Sequence, residues 1–362
     1  MEKLRVGFVG LRRGGGLVRA LATHPRVEVA ALCDLNEDTL TSMSKDFSLP
    51  ETALFTAFDD FVNAPLDVVV IATPIEFHAS QSIAALDNGK HVLCEQTVAY
   101  TLNECAAVIA AQERTGNVYM MAENYCYFHY IKEWRNLVAK GTLGTLFYAE
   151  AEYVHEIADL LRDPATGTPK WRLPRAPIWY CAHTLGPVLT LMDDRIVKAT
   201  GASAGRNMHP EEDDLGHLDM EVGLFQTQKG NIIKILRSQV AHRHPHTVYY
   251  TLYGTKGFIE NGRHIEDRAS TGRYFNVDTM SKQTGAEEID CLLVDPNAPP
   301  EALHGGHGTS EYFMVQDFIA AIDNNTKAPI DAVRAVEFTA PGIVAHDAAM
   351  QEGVWLDVPQ FR

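Results

Sequence analysis

The sequence is poor in cysteine, and its cysteines show none of the spacings that bind metals or build disulfide frameworks. Only six cysteines occur in 362 residues, and no Cys-x-x-Cys pair is among them. Cysteines scattered in this way are typical of free thiols in a reducing compartment. We therefore expect no metal centre and no fold held together by disulfides.

Basic residues are also scarce relative to acidic ones. The chain has 31 Lys and Arg against 47 Asp and Glu, a formal net charge of −16. Nucleic acids and anionic membranes both attract proteins through clustered cations, so neither is an expected partner. No apolar run approaches the roughly 20 residues that span a bilayer, and no signal-peptide pattern precedes the first strand-like run at Leu4. We expect a cytoplasmic protein.

The N-terminal third follows the order strand, glycine-rich turn, helix, strand and acidic residue. A strand-like run at 4–9 leads into Gly10 and the GLRRGGG turn, and a second run at 27–32 ends at Cys33-Asp34. This order predicts a Rossmann unit, in which glycines let the backbone approach a pyrophosphate at a helix N-terminus. The G-x-G-x-x-G fingerprint is incomplete because Arg12 occupies its second glycine position. A glycine turn of another doubly wound fold therefore remains an alternative.

The residues around this turn bear on the choice of cofactor. Asp34 can accept hydrogen bonds from ribose hydroxyls and would repel a 2′-phosphate, which favours NAD over NADP. Arg12 and Arg13 argue the other way, because guanidinium groups can clamp a phosphate. We predict NAD as the cofactor. The residues expected on its side are Gly10, Arg12, Arg13, Gly14, Gly15 and Asp34.

The segment from Val68 onwards, VVVIATP…H…AALDNGKHVLCEQ, closely resembles the first domain of the Gfo/Idh/MocA family of nicotinamide-dependent sugar oxidoreductases. The resemblance implies that the Thr-Pro turn and the segment after the following strand lie along the cofactor. A position on a helix surface is the alternative for His78. The additional cofactor-side residues are Thr73, Pro74, His78, Glu95, Gln96 and Asn124.

Two residues that the family uses in dehydrogenation are missing. Gln96 stands where the family's Glu-Lys-Pro motif has lysine, and glutamine can form hydrogen bonds but cannot titrate. His183 matches the histidine of the family's Asp-x-x-x-His pair, but Trp179 replaces its aspartate. The proton chemistry of an ordinary sugar dehydrogenase is therefore altered.

The remainder of the chain predicts a different architecture. Strand-like segments favour an open sheet, with helices such as 182–192 and 311–323 on one face. They lie at 146–155, 196–203, 219–226, 230–241, 247–254 and 257–261. The expected fold is α/β, with an N-terminal Rossmann domain over 1–123 and a C-terminal α+β domain over 124–362 that contains a large, open, mostly antiparallel sheet. Because such sheets often pair between subunits, we expect a homodimer or homotetramer.

Three short segments combine histidine, tyrosine and glycine near the expected starts of helices, where catalytic groups are common. They are YVHE at 153–156, WYCAHTLGP at 179–187 and HGGHGTSEY at 304–312. The catalytic candidates are His155, Tyr180, His183 and His307, with Tyr153 and Trp179 expected at the substrate. Each also has a structural alternative: Tyr153 as a strand aromatic, His183 as a buried histidine with satisfied hydrogen bonds, and His307 as a helix cap.

Within the superfamily, the chain resembles the NAD-dependent glycosidases of glycoside hydrolase family 109. The likeness covers TLNEC, MAENYCY, YVHE, Y-x-x-H-x-L-G-P and HGTSEY, although that branch reads His-Gly-Gly-Met-Asp where this chain has His307 to Glu311. The resemblance implies transient oxidation of the sugar at C3, proton loss from C2, departure of the aglycone from C1, addition of water and re-reduction. We assign His183 to the C3 hydroxyl, Tyr180 to C2 or to substrate positioning, and His155 and His307 to proton transfer or sugar hydroxyls.

Cations are concentrated in the second half, in the segments 171–175 and 237–246. Arg172, Arg175 and Arg237 are the candidates for gripping an anionic sugar such as a uronate or a sulfo-sugar. A solvated basic face is the alternative.

Two other functions are compatible with the sequence. One is a sugar or polyol dehydrogenase with net NAD reduction, in which water or His183 replaces the lysine. The other is a nucleotide-binding sensor that has lost its chemistry. The substrate in either enzymatic case is a small sugar or glycoside.

Overall fold

A computed structural model describes residues 2–265 and 268–361, except for the side chain of Arg13. The described residues form two compact units. Unit 1 draws on Met1–Tyr127, Pro296–Val336 and Phe361–Arg362, and unit 2 on Phe128–Asp295 and Glu337–Gln360. The units therefore draw on non-consecutive stretches of the chain, and the domain boundary expected at residue 123 stays a prediction.

Unit 1 contains a six-stranded parallel sheet in the order β3-β2-β1-β4-β5-β6. The strands are β1 (Leu4–Val9), β2 (Val27–Cys33), β3 (Leu54–Phe55), β4 (Val68–Ile71), β5 (His91–Glu95) and β6 (Tyr119–Ala122). The intervening helices are α1 (Leu11–Ala22), α2 (Glu37–Asp46), α3 (Phe58–Val62), α4 (His78–Asp87) and α5 (Leu102–Thr115). This order is that of a doubly wound Rossmann fold.

Local sequence explains these elements well. The strand β4 is apolar and buried along its whole length, as expected of a central parallel strand. Helix α5 begins at a capping box, in which Thr101 and Glu104 bond each other's backbone N–H groups, and ends at Gly116 in a left-handed conformation. The predicted Rossmann domain is confirmed.

The helix expected over 311–323 is α9 (Ser310–Asp323), and its predicted position on the second sheet is wrong. It packs within unit 1 against α1 and the 3₁₀ turn Asn124–Tyr127. Arg26 forms an ion pair with Asp323 at 2.6 Å, which fixes the helix end on this unit. An amphipathic pattern identifies a helix with one buried face, but it does not say which surface covers that face.

Unit 2 contains a nine-stranded sheet in the order β14-β13-β12-β11-β7-β10-β9-β8-β15. The strands are β7 (Leu146–Val154), β8 (Ile196–Ser203), β9 (Glu221–Thr227), β10 (Ile232–Ser238), β11 (Thr247–Gly254), β12 (Gly257–Glu260), β13 (Ala269–Asn276), β14 (Glu287–Leu292) and β15 (Leu356–Asp357). The helices are α6 (His129–Ala139), α7 (Ala158–Leu161), α8 (Ala182–Met192) and α10 (Ala332–Ala349), whose first residues belong to unit 1.

The sheet is antiparallel except where β10 pairs with β7, so the predicted open, mostly antiparallel sheet is confirmed. All six predicted strands occur, with ends shifted by a few residues. Sequence reasoning missed β13 and β14, because glycine and charged residues interrupt their apolar alternation, and β15, which is only two residues long.

Helix α8 carries the predicted His183 in its first turn and packs on β7. Its residues are buried almost throughout, so the helix is apolar on all sides rather than amphipathic. This packing brings the start of α8 close to the end of β7, where Tyr153 lies.

None of the helices in the described part of the chain is both long and apolar enough to cross a membrane.

Candidate active site

The glycine turn of unit 1 begins at Gly10, the N-cap residue of α1. Gly10 has φ of +84°, and a Cβ on it would lie 2.6 Å from the carbonyl carbon of Ala72. Only glycine fits that position. Gly14 and Gly15 follow inside the helix, whose first turn holds no acidic residue. A glycine-rich helix N-terminus is the kind of site that holds a pyrophosphate, and of its first N–H groups that of Leu11 is bonded to Asp34.

Asp34 closes the other side of this turn. Its carboxylate accepts hydrogen bonds from the backbone N–H groups of Leu11 at 2.7 Å and Asn36 at 2.9 Å. Each carboxylate oxygen has a second lone pair, so Asp34 can still accept hydrogen bonds from ribose hydroxyls. The side chain of Arg12 is exposed, and that of Arg13 lies outside the described residues.

The predicted residues after β4 and β5 are joined by His78. Its ring lies 2.8 Å from the carbonyl of Thr73 and 2.8 Å from that of Thr97, and it is 1% exposed. Burial lowers the pKa of His78, against the effect of the two carbonyls. The alternative of a helix-surface histidine is therefore wrong. His78 connects the turn that contains Pro74 to the segment that contains Gln96.

Near this histidine, Glu95 ends β5 and is half-buried, whereas Gln96 is only 3% exposed. Thr73 donates its hydroxyl to the side chain of Gln81 at 2.7 Å. Contact with a cofactor remains a prediction for these residues.

A buried carboxylate that sequence reasoning did not select organises the third predicted segment. Glu311 accepts from the Asn124 amide at 3.0 Å, and its Oε1 lies 2.6 Å from Nδ1 of His307. Burial by itself would raise the pKa of Glu311, but the hydrogen bond and charge of His307, together with Asn124, lower it to about 2. The spacing of four residues between His307 and Glu311 could have indicated this contact. It lies in the segment that differs from the His-Gly-Gly-Met-Asp motif of family 109.

His307 is not the cap of α9, because Thr309 occupies the N-cap position. It belongs to unit 1, whereas the other catalytic candidates belong to unit 2. Asn124 donates its side-chain amide to Glu311, and its contact with the cofactor stays a prediction.

Unit 2 brings together four predicted residues, which we call the aromatic–histidine cluster: Tyr153, His155, Tyr180 and His183. The hydroxyl of Tyr153 lies 2.9 Å from Nδ1 of His155. The ring of His183 meets Tyr153 edge-on at 5.6 Å and Tyr180 edge-on at 5.2 Å. His155 also contacts the ring of His246 at 4.7 Å. Two phenols and two imidazoles, all capable of proton transfer, thus share one site.

Two buried arginines, which we call the arginine pair, lie against this cluster. The guanidinium of Arg237 is 4.3 Å from the ring of Tyr153 and 5.3 Å from that of Tyr180, and Arg175 is 4.1 Å from Tyr180. Arg175 and Arg237 are 3% and 2% exposed, so the alternative of a solvated basic face is wrong for both. That alternative does describe His242 and His244, whose side chains are 76% and 81% exposed.

The two remaining substrate candidates are packed on neighbours. The guanidinium of Arg172 lies 4.0 Å from the ring of Trp171 and is half-buried. The ring of Trp179 meets His346 edge-on at 5.5 Å. The position at which the related dehydrogenases carry an aspartate therefore carries an indole packed on a buried histidine.

A six-stranded Rossmann sheet together with an open, mostly antiparallel sheet defines the Gfo/Idh/MocA class of NAD-dependent oxidoreductases. The model of the oxidoreductase family with an NAD-binding Rossmann fold matches residues 4–123, so NAD is the cofactor of this domain. The model of the glycosyl hydrolase 109 C-terminal domain matches residues 129–362. The chain belongs to glycosyl hydrolase family 109.

Relatives carry the same family name, and solved structures share the fold. A glycosyl hydrolase family 109 protein of Shewanella pealeana is 26% identical, covering 100% of this chain and 86% of the relative. One of Shewanella baltica is also 26% identical, covering 100% and 85%. An oxidoreductase domain protein from Kribbella flavida superposes with a TM-score of 0.82 at 20% identity, covering 99% of this chain and 100% of that one.

A levoglucosan dehydrogenase in complex with NADH and levoglucosan superposes with a TM-score of 0.82 at 19% identity, again over 99% and 100% of the two chains. At these identities the solved structures establish the fold.

Proposed function

We propose that the protein is an NAD-dependent glycosidase that oxidises its sugar only transiently. The C3 hydroxyl of the glycoside loses its proton while the C3 carbon loses a hydride, and the resulting C3 ketone acidifies the C2 proton. Loss of that proton expels the aglycone from C1. Water adds at C1 while C2 regains a proton, and C3 is reduced again. Bound NAD supplies the hydride chemistry, with no net consumption.

The residues of unit 2 supply proton transfer in this scheme. His183 accepts the proton of the C3 hydroxyl, and Tyr180 removes the proton from C2. His155, oriented by the hydroxyl of Tyr153, serves the leaving oxygen or a sugar hydroxyl. In unit 1, His307 serves proton transfer or a sugar hydroxyl, oriented by Glu311.

The observation that supports the proposal best is the composition of the aromatic–histidine cluster. Net oxidation of an alcohol needs one proton acceptor, whereas elimination and water addition need several groups that exchange protons. Two phenols and two imidazoles of unit 2 form a series of contacts, from His155 to Tyr153, from Tyr153 to His183 and from His183 to Tyr180. Gln96 and Trp179 stand where the family's dehydrogenases have lysine and aspartate. Because neither glutamine nor tryptophan titrates, the replacements agree with a reaction other than net oxidation.

An anionic sugar substrate remains a proposal, and the structure leaves fewer arginines to bind it than the sequence indicated. Arg175 and Arg237 are buried and hydrogen-bonded inside unit 2, which leaves the half-buried Arg172 as the candidate that can meet a substrate carboxylate or sulfate. Equal affinity for neutral and acidic glycosides would contradict it.

The function is tested by incubating the purified protein with aryl glycosides, with and without added NAD⁺, while absorbance of the aglycone and of NADH is followed. The proposal expects aglycone release without build-up of NADH, and loss of activity once NAD is removed. Steady NADH accumulation without aglycone would instead identify a sugar or polyol dehydrogenase, the second candidate. Tight NAD binding with neither product would indicate a sensor.

The expectation of a homodimer or homotetramer remains a prediction. Light scattering after size-exclusion chromatography measures it directly, and a monomeric mass at micromolar concentration would contradict it.

A further inference from the structure

Arg237 is the largest fully buried side chain of the described chain, and its position is unusual for a charged group. Its described acceptors are backbone carbonyls, those of Tyr153 at 3.2 Å and Pro177 at 3.3 Å. Within the described part of the chain, no carboxylate pairs with it. Because burying an uncompensated charge is costly, a group that can become negative nearby would lower that cost.

The groups that its guanidinium faces and that can become negative are phenols, whereas Glu221, its cross-strand neighbour on β9, is bonded to Ile178 and His346. The guanidinium of Arg237 faces the rings of Tyr153 and Tyr180, and that of Arg175 faces Tyr180 from 4.1 Å. Burial, and to a smaller extent Arg175, lower the pKa of Arg237 to about 10, while Tyr153 and Tyr180 act in the opposite direction. Arg237 is thus positive at neutral pH.

The arginine pair is held rigidly in place. Arg175 donates to the side chain of Gln239 at 2.7 Å, and the Gln239 amide donates back to the carbonyl of Arg175 at 2.9 Å. Arg237 holds the carbonyl of Pro177, the first residue of the 3₁₀ turn that ends at Tyr180. Tyr180 and Arg175 therefore lie on one short segment, and Arg237 on β10 is hydrogen-bonded to that segment.

We propose that Arg237 and Arg175 are positioning residues that stabilise the ionised form of Tyr180, so that its phenolate removes the C2 proton. The inference rests on the proposed function. In this step the phenolate oxygen gains the proton, the C2–H electron pair forms the C1–C2 double bond, and the C1–O bond breaks with its electrons on the aglycone. Water addition later returns the proton to C2 and regenerates the phenolate.

Three other titratable groups of the described chain lie around Tyr180. His183 meets the ring of Tyr180 edge-on, Tyr153 faces Arg237 from β7, and Cys181 is adjacent in sequence and donates to the carbonyl of Phe338 at 3.1 Å. Among the described groups in contact with its ring, the arginine pair is cationic at neutral pH. A cation over an aromatic ring is attracted more strongly once the ring bears negative charge.

Ionisation of Tyr180 can be measured without substrate, by pH titration of tyrosinate absorbance. The contribution of Tyr180 is obtained by subtracting the titration of Tyr180→Phe from that of the parent protein. We expect this contribution to move to higher pH in Arg237→Lys and further in Arg237→Met, with Arg273→Gln as a matched control on the exposed surface of β13. An unchanged titration in the Arg237 variants would overturn the proposal.

Kinetics then separate this role from substrate binding. With a neutral aryl glycoside, we expect kcat of Arg237→Met to fall by at least about tenfold, with the acidic limb of its pH profile shifted upwards, little change in KM and partial recovery in Arg237→Lys. A change confined to KM would overturn the proposal.

If Arg237→Met does not fold, both measurements are made on Arg237→Lys and Arg175→Lys. Failure of the glycosidase assay with the titration shift intact would reject the function and leave the electrostatic role.

Discussion

The carboxylate of Glu221 lies 2.7 Å from Nδ1 of His346, and the two side chains are 1% and 4% exposed. The other carboxylate oxygen accepts from the backbone N–H of Ile178 at 2.9 Å. A strand, β9, and a helix, α10, thereby hold the turn that carries Trp179 and Tyr180. Neither Glu221 nor His346 is part of a recognisable motif.

Replacing Glu221 by Ala should destabilise the protein by about 3 kcal/mol, because it leaves His346 and the N–H of Ile178 without their buried partner. Urea unfolding of the full chain measures the change. As a control, Asp357→Ala removes an exposed carboxylate 3.7 Å from Lys198 and should leave stability unchanged within error. Equal effects of the two substitutions would show that the Glu221–His346 contact does not stabilise the fold.

Substituting Phe for Tyr180, or Ala for His183, should lower turnover by well over tenfold, because each change removes a proton-transferring group from the aromatic–histidine cluster. Steady-state kinetics with an aryl glycoside measure the loss. Tyr148→Phe is a matched control, since that phenol bonds Glu150 at 2.8 Å elsewhere on β7. Near-normal turnover in either cluster variant would refute its assigned role.

Glu311 should make the stability of the protein depend on pH under acidic conditions. Its pKa in the folded state is about 2, below the ordinary value of 4.5, so its stabilising effect is present above about pH 4.5 and is lost as the pH falls towards 2. The difference in unfolding free energy between the parent protein and Glu311→Gln should shrink over that range, by an amount on the order of 3 kcal/mol. A difference that does not vary with pH would contradict this linkage. The exposed Asp317→Asn provides the control.

Restoring lysine at Gln96 should produce steady NADH accumulation with a free sugar, because lysine can accept the proton of the hydroxyl being oxidised. Absorbance of NADH measures the gain. Gln96→Met, which is similar in length and cannot titrate, is the control. If both variants gain equally, or if Gln96→Lys still binds NAD and gains nothing, the glutamine does not set the direction of the reaction.

The Rossmann half was predictable because its signals are local. An apolar run such as β4 is buried wherever it folds, and Gly10 marks a turn that no other residue fits. The residues of the candidate site were predictable only as separate segments. Tyr153 and His183 lie in YVHE and WYCAHTLGP, and nothing in either segment predicts that their rings are 5.6 Å apart.

The sequence by itself determined most of the strands and helices, the dinucleotide turn, the missing lysine and aspartate, and the residue types that carry the chemistry. These follow from backbone preference, apolar periodicity and side-chain ionisation, which are properties of short segments. The tertiary structure decided which of those residues meet. It packed α9 with unit 1 and buried Arg175 and Arg237 against two phenols. It also paired Glu221 with His346, and Glu311 with His307. Such contacts join residues far apart in the chain, and they depend on how helices and sheets pack rather than on local preference.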